Sequence, residues 1–200
     1  DQEAVPSRQF DISKIDFELL SREFAHTRRK NLLLRDLDEL VNQQLAKMLF
    51  ANPQRIDYYD RYQEIIDAYN AEQNRATIEK TFMDLMELAS SLDTEQQRYV
   101  REGFSSDEEL SVYDLLFSEN LTKQEIETIK KVSVDLLIKI KQQIAKLDHW
   151  TDKQETKAIV DNLIRNTLWQ ELPNSYDVSD IQTYQKKIYE YVYMRYPEVA

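Results

Sequence analysis

The sequence predicts an all-α protein, an irregular bundle of about eight helices joined by short loops. Three observations carry that prediction. The 200 residues contain one glycine, Gly103, whereas hairpins and barrels consume glycine in tight turns and bulges. Apolar side chains recur at helical spacing through most of the chain. Hydroxyl residues stand three positions ahead of Glu or Gln again and again in the second half, the pattern of helix N-termini.

Taken in order, residues 1–12, with Pro6, read as a tail or linker ahead of a helical domain over residues 13–200, with possible halves 13–103 and 104–200. A first helix is expected over residues 13–25, its apolar set being Ile15, Leu19, Leu20 and Phe24. After the basic patch Arg28, Arg29, Lys30, a second covers residues 32–50 and stops at Asn52-Pro53, because proline restricts the residue before it and cannot extend the ladder. A third covers residues 57–71. The fourth runs from residue 76 towards 102 with Ile78, Phe82, Leu85, Met86, Ala89 and Leu92 on one face, and Gly103 falls where a left-handed C-terminal cap belongs. Thr94 with Gln97 offers a break inside it. Ser106 with Glu109, Thr122 with Glu125, Thr151 with Gln154, and Ser179 with Gln182 are each read as capping boxes opening a helix. The helix after Thr122 is the clearest amphipath, with Ile126, Ile129, Leu136, Leu137, Ile140, Ile144 and Leu147 on one stripe. Pro173 ends the next helix, and the last spans residues 179–196 before Pro197.

Composition bounds the function. With 42% hydrophobic and 32% charged residues the chain has enough apolar surface to fold. A single glycine rules out phosphate-cradling loops and dinucleotide fingerprints, which need at least two. Cysteine is absent, so thiolate zinc sites are excluded and nothing points to an oxidising compartment. No apolar run approaches a membrane span and no signal peptide is evident, so a soluble, cytoplasmic chain without membrane contact is expected. The chain opens at Asp1 without an initiator Met, as a piece of a longer polypeptide would. The net charge of −11 disfavours a generic nucleic-acid binder. It is uneven: residues 1–121 hold 14 Lys+Arg against 25 Asp+Glu, while residues 122–200 hold 12 of each. Such asymmetry orients a docking surface, or simply reflects solvated acidic faces.

Four constellations were weighed for chemistry. Glu23 and His26 form the Glu-x-x-His pair of di-iron bundles, but position 146, three before His149, is Lys, so the second pair is missing and a surface histidine is the better reading. Asp148 or Asp152 followed by Glu155 and Lys157 imitates a metal-dependent nuclease set, yet on a helix Glu155 and Lys157 point about 200° apart. The lysines after Thr122, including Lys130 and Lys131, flank the apolar stripe in two groups; with Arg28, Arg29 and Lys30 they are the candidate nucleic-acid contacts. In the last helix Tyr189, Tyr193 and Tyr196 form an arc beside the apolar stripe. They are the candidate partner-binding residues, with core packing on two sides as the alternative.

A family resemblance enters through three segments: RIDYYDRYQEIIDAYN (residues 55–70), SSDEELSVYDLLF (residues 105–117) and HWTDKQETKAIVDNLIRNTLWQELP (residues 149–173). An Asp-aromatic helix ends in Tyr-Asn at Asp57, Tyr69 and Asn70. An acidic cap leads into Tyr113, Asp114, Leu115 and Leu116, and Trp150 precedes the penultimate helix. In the order and character of its helices the chain, over residues 15–173, resembles the C-terminal helical domain of the restriction (R) subunit of type I restriction-modification enzymes; the last helix departs from that pattern. The resemblance implies an assembly domain that docks an ATP-dependent DNA translocase and nuclease onto methyltransferase subunits, with DNA reached through the parent complex. ATP and Mg²⁺ are implied for the parent subunit, whose catalytic motifs would lie upstream. No catalytic, cofactor-binding or metal residue of the family maps onto this sequence, and a DNA-contacting module of the same complex is the alternative.

Overall fold

A computed structural model describes residues 14–198, all of whose regular elements are helical. The expected tail at residues 1–12 and the expected helix start at Ser13 lie outside the described residues. The chain divides into two units, Asp1–Arg98 and Tyr99–Ala200.

In the first unit, α1 (Phe17–His26) starts where the Asp16 carboxylate accepts the Leu19 N–H at 2.9 Å, later than the apolar pattern suggested. Helix α2 (Lys30–Ala51) takes in Lys30, because the Leu33 N–H already bonds the Arg29 carbonyl. Asn52 ends it, and a 3-10 turn over Pro53–Arg55 leads into α3 (Ile56–Ala71). Helix α4 (Arg75–Gln96) is capped by the Asn74 side chain, which accepts the Thr77 N–H at 2.9 Å. Helices α2, α3 and α4 pack together around Leu37, Val41, Leu45, Phe82, Leu85 and Leu92, all buried. The helix does break near Thr94, but Thr94 does not cap a new one. Its hydroxyl donates to the Ser90 carbonyl, a bond made inside α4.

Helix α5 (Arg98–Arg101) is a single turn. Gly103, at φ +84°, closes it as expected: the Gly103 N–H bonds the Val100 carbonyl at 3.1 Å and the Phe104 N–H bonds the Tyr99 carbonyl at 2.9 Å. The division between units falls ahead of Gly103 because Tyr99 and Phe104 already pack into the second core.

That core lies inside a ring of four helices, α6 (Asp107–Leu116), α7 (Lys123–Ile144), α8 (Gln154–Glu171) and α9 (Val178–Arg195). Each packs on the next, and α9 returns to α6. Leu110, Leu116, Leu136, Ile140, Ile164 and Ile188 are fully enclosed. The box at Thr122 and Glu125 forms in both directions. Bonding of its carboxylate to the Thr122 N–H, and to Ser175, holds Glu125 below the usual carboxylate range. Ser106 caps α6, but Glu109 reaches back to the Ser105 N–H, one residue further than the box requires. At the two other expected boxes the hydroxyl residue does not cap the helix at all. Helix α8 starts behind Lys153 without a side-chain cap, and it is the Thr156 hydroxyl, donating to the Trp150 carbonyl at 2.7 Å, that ties its first turn down. Helix α9 is opened by Asp177 and Asp180, which cap each other's N–H groups, so Ser179 is already helical.

Candidate functional site

The tyrosine arc of α9 borders the second unit's core through Tyr196 and Tyr189. Trp150, wholly buried in the turn before α8, donates its indole N–H to the Tyr196 carbonyl at 2.7 Å. The rings of Tyr189 and Tyr193 meet its plane nearly edge-on, with centroids 6.1 and 5.7 Å away. Tyr196 is buried, edge-on to Tyr191, with the Lys141 ammonium 5.4 Å from its ring centre. Burial drives the phenols of Tyr189, Tyr191 and Tyr196 above their ordinary value. Of the three candidate partner contacts, Tyr196 is therefore packed inside the unit, Tyr189 is half-buried, and Tyr193, 38% exposed, presents an edge to solvent. Core packing on a second side, the alternative reading, thus holds for Tyr196, whose carbonyl takes the Trp150 indole N–H, while Tyr193 keeps an exposed edge.

The basic candidates are scattered. Arg28 and Arg29 are exposed between α1 and α2. Lys30 folds inward, donating to the Phe24 carbonyl at 2.9 Å, standing 4.4 Å over the Phe24 ring and lying 3.7 Å from the Glu79 carboxylate. On α7, Lys130 pairs with Glu102 at 3.2 Å and donates to the Glu102 carbonyl, while Lys131 points to solvent. Lys139 and Lys141 pair with Glu171 and Glu108. The two patches thus belong to different units, and the inner lysine of each is held by its own unit.

The nuclease-like residues do not converge. Asp148, Asp152 and Glu155 are exposed, and Lys157 on α8 lies over the Tyr193 ring at 5.9 Å. No group of three His, Cys, Asp or Glu able to hold a metal occurs among the described residues, and Glu23 and His26 are both exposed.

Two outward apolar features were missed by sequence reasoning. On α8, Ile159 and Trp169, 43% and 50% exposed, share an arc of about 80° with Asn162 and Asn166; Glu155 stands on the same arc one turn ahead of Ile159, and Arg165 borders it one turn before Trp169. Between α1 and α2 lies a groove of about 540 Å³ whose apolar lining is Ile15, Leu19, Leu20, Leu33, Leu37 and Leu40. A cleft of about 550 Å³ between α8 and α9 is polar, lined by Gln154, Lys157, Asp161, Gln185 and Lys186 among others, with Gln185 donating to Asp161 at 3.0 Å. The helical wheel could have flagged the α8 arc, since Trp169 sits away from Val160, Ile164 and Leu168.

These surfaces stand on a chain whose residues 3–196 match the family described as type I restriction enzyme HindI endonuclease subunit-like, C-terminal. The chain belongs to that family. Curated proteins and solved structures give no match to it. The family match covers the last helix as well, including the Trp150 contact with Tyr196. As a C-terminal domain of the type I restriction endonuclease subunit-like kind it belongs with a multi-subunit enzyme class, and among the described residues no helix is long and apolar enough to cross a membrane.

Proposed function

We propose that this domain is an assembly module that fastens the restriction subunit, with its ATP-driven motor and Mg²⁺-dependent nuclease, to the methyltransferase core. The observation that carries the reading is the outward-facing Trp169 on α8, on one arc with Ile159, Asn162 and Asn166. A helix of a solvated bundle gains nothing from holding a tryptophan half in water, whereas Trp is among the side chains enriched at binding hot spots. Two asparagines on the same arc supply hydrogen bonds without the desolvation cost of a charge.

The full restriction subunit, wild type or Trp169→Ala, is titrated against the purified modification core. Removal of a central tryptophan should weaken association by roughly tenfold or more. Equal affinity of the two proteins would overturn the reading for this face. A DNA-contacting role is less well supported, because Lys30 and Lys130 are engaged by Glu79 and Glu102. It would show itself as binding of the chain to duplex DNA that falls steeply with salt.

A further inference from the structure

Helix α1 is strongly amphipathic yet sends one buried residue, Phe24, into its unit's core. That end is pinned: the Phe24 ring stacks on Phe82 with centroids 3.7 Å apart and planes 5° from parallel, and Lys30 bonds the Phe24 carbonyl. Towards its N-terminus the helix leaves a groove above α2. Leu37 and Leu40 form a buried floor, and Leu19 on the lip is 51% exposed. Both walls end in carboxylates, Asp16 and Glu23 from α1 and Asp36 from α2, while Lys14 is the one cation lining the groove. Asp16 is occupied as a cap and Asp36 touches its exposed neighbour Arg35 at 3.8 Å. An apolar trough with acidic walls on both sides fits a helix whose apolar stripe is bordered on each side by Lys or Arg.

We propose that this groove seats a basic amphipathic helix, contributed in the assembled enzyme by the methyltransferase core; the identity of the donor rests on the assembly role proposed above. A second copy of the chain is a poor occupant, because a two-fold contact would press the same carboxylates against each other. The residues just before the groove are equally mismatched, since residues 1–13 carry Asp1, Glu3 and Asp11 against Arg8.

The test uses the chain itself with two labelled synthetic helices, one of Leu and Lys and one of Leu and Glu, followed by fluorescence anisotropy. Leu19→Asp and Asp36→Lys alter exposed side chains, and circular dichroism checks that both variants stay folded. Wild type should take up the Leu/Lys helix and leave the Leu/Glu helix free; either variant should bind the Leu/Lys helix at least tenfold more weakly. Binding that Leu19→Asp leaves untouched would reflect only the chain's overall negative charge and would overturn the proposal. So would failure to bind, including failure because a second copy fills the groove, which sedimentation would reveal. In a parallel titration with the modification core, capture of wild type and Leu19→Asp alike would sink the groove and spare the assembly role. No capture of wild type would sink the assembly role, leaving the groove to the peptide result.

Discussion

The most demanding prediction concerns a buried ion network in the first unit. Arg55 and Glu95, 3% and 6% exposed, face each other from the turn before α3 and the end of α4. The Glu95 carboxylate accepts the Arg55 Nε–H at 3.1 Å and the Arg98 Nε–H at 2.9 Å. The Arg55 guanidinium reaches on to the Met48 carbonyl at 3.5 Å. Burial, then the nearby Glu95 charge, raises the Tyr58 phenol above its ordinary value. Glu95→Gln keeps the shape and removes the charge, so a buried guanidinium loses its counter-ion. Breaking such a pair from one side costs about 3–5 kcal/mol, a large part of the 5–15 kcal/mol expected of a domain. Urea unfolding followed by far-UV circular dichroism measures it. Trp150 and Trp169 both lie in the second unit, so their fluorescence serves as an internal control that should not move. A loss below about 1 kcal/mol would refute the reasoning, as would failure of Arg55→Met with Glu95→Leu to restore most of what Glu95→Gln removes, since paired apolar replacements are often neutral.

In the second unit, Trp150→Ala should destabilise by about 3–5 kcal/mol, read by Trp169 fluorescence during unfolding, whereas Tyr193→Ala should stay within about 1 kcal/mol; equal effects would mean that Trp150 is not the hub. Gly103→Ala meets no atom within 4 Å, so its cost of about 1–2 kcal/mol comes from φ alone, and Gly103→Asn should cost less. Equal losses for both would point to something other than backbone strain. Burial raises the phenols of Tyr62, Tyr176 and Tyr196 above the ordinary 10.0. The unfolded chain therefore releases its phenolic protons first, and stability, fully present below pH 10, falls as pH rises beyond it. Each such group contributes up to about 1.4 kcal/mol per pH unit. The last part of the phenolate absorbance should rise in step with loss of circular dichroism; completion of the titration in a still-folded protein would contradict this.

Helices were legible because their apolar periodicity is local, and the structure reproduces α2 and α3 to within a residue or two of the pattern, while α7 stops at Ile144, three residues short of Leu147 on its stripe. Caps were less legible. A Ser or Thr three residues before Gln satisfies the pattern at Thr94, Thr151 and Ser179, but the hydroxyl also bonds the carbonyl one turn back, as Thr94 does. An acid then takes the cap where one is better placed, as at Asp177. The α1–α2 groove was not legible at all. Ile15, Leu19 and Leu20 read as an ordinary core face, and nothing in their spacing tells that Phe24 alone would be fully buried, Ile15 and Leu20 half-buried and Leu19 left outside.

Periodicity names the faces of a helix, but it does not say how many neighbours meet them, and α9 shows the consequence. Its apolar stripe through Ile181, Ile188 and Val192 would suffice for a peripheral helix, which left the tyrosines beside it looking spare. Two long-range contacts decide otherwise. The Trp150 indole arrives from 46 residues away to bond the Tyr196 carbonyl, and the Tyr176 hydroxyl, at the entrance to α9, donates to the Leu116 carbonyl at 2.6 Å. These fix α9 against α6 as well as α8 and close the ring. With Tyr196 and much of Tyr189 spent inward, mutagenesis aimed at partner binding should begin at the half-exposed Trp169 and Ile159 on α8 rather than at Tyr196.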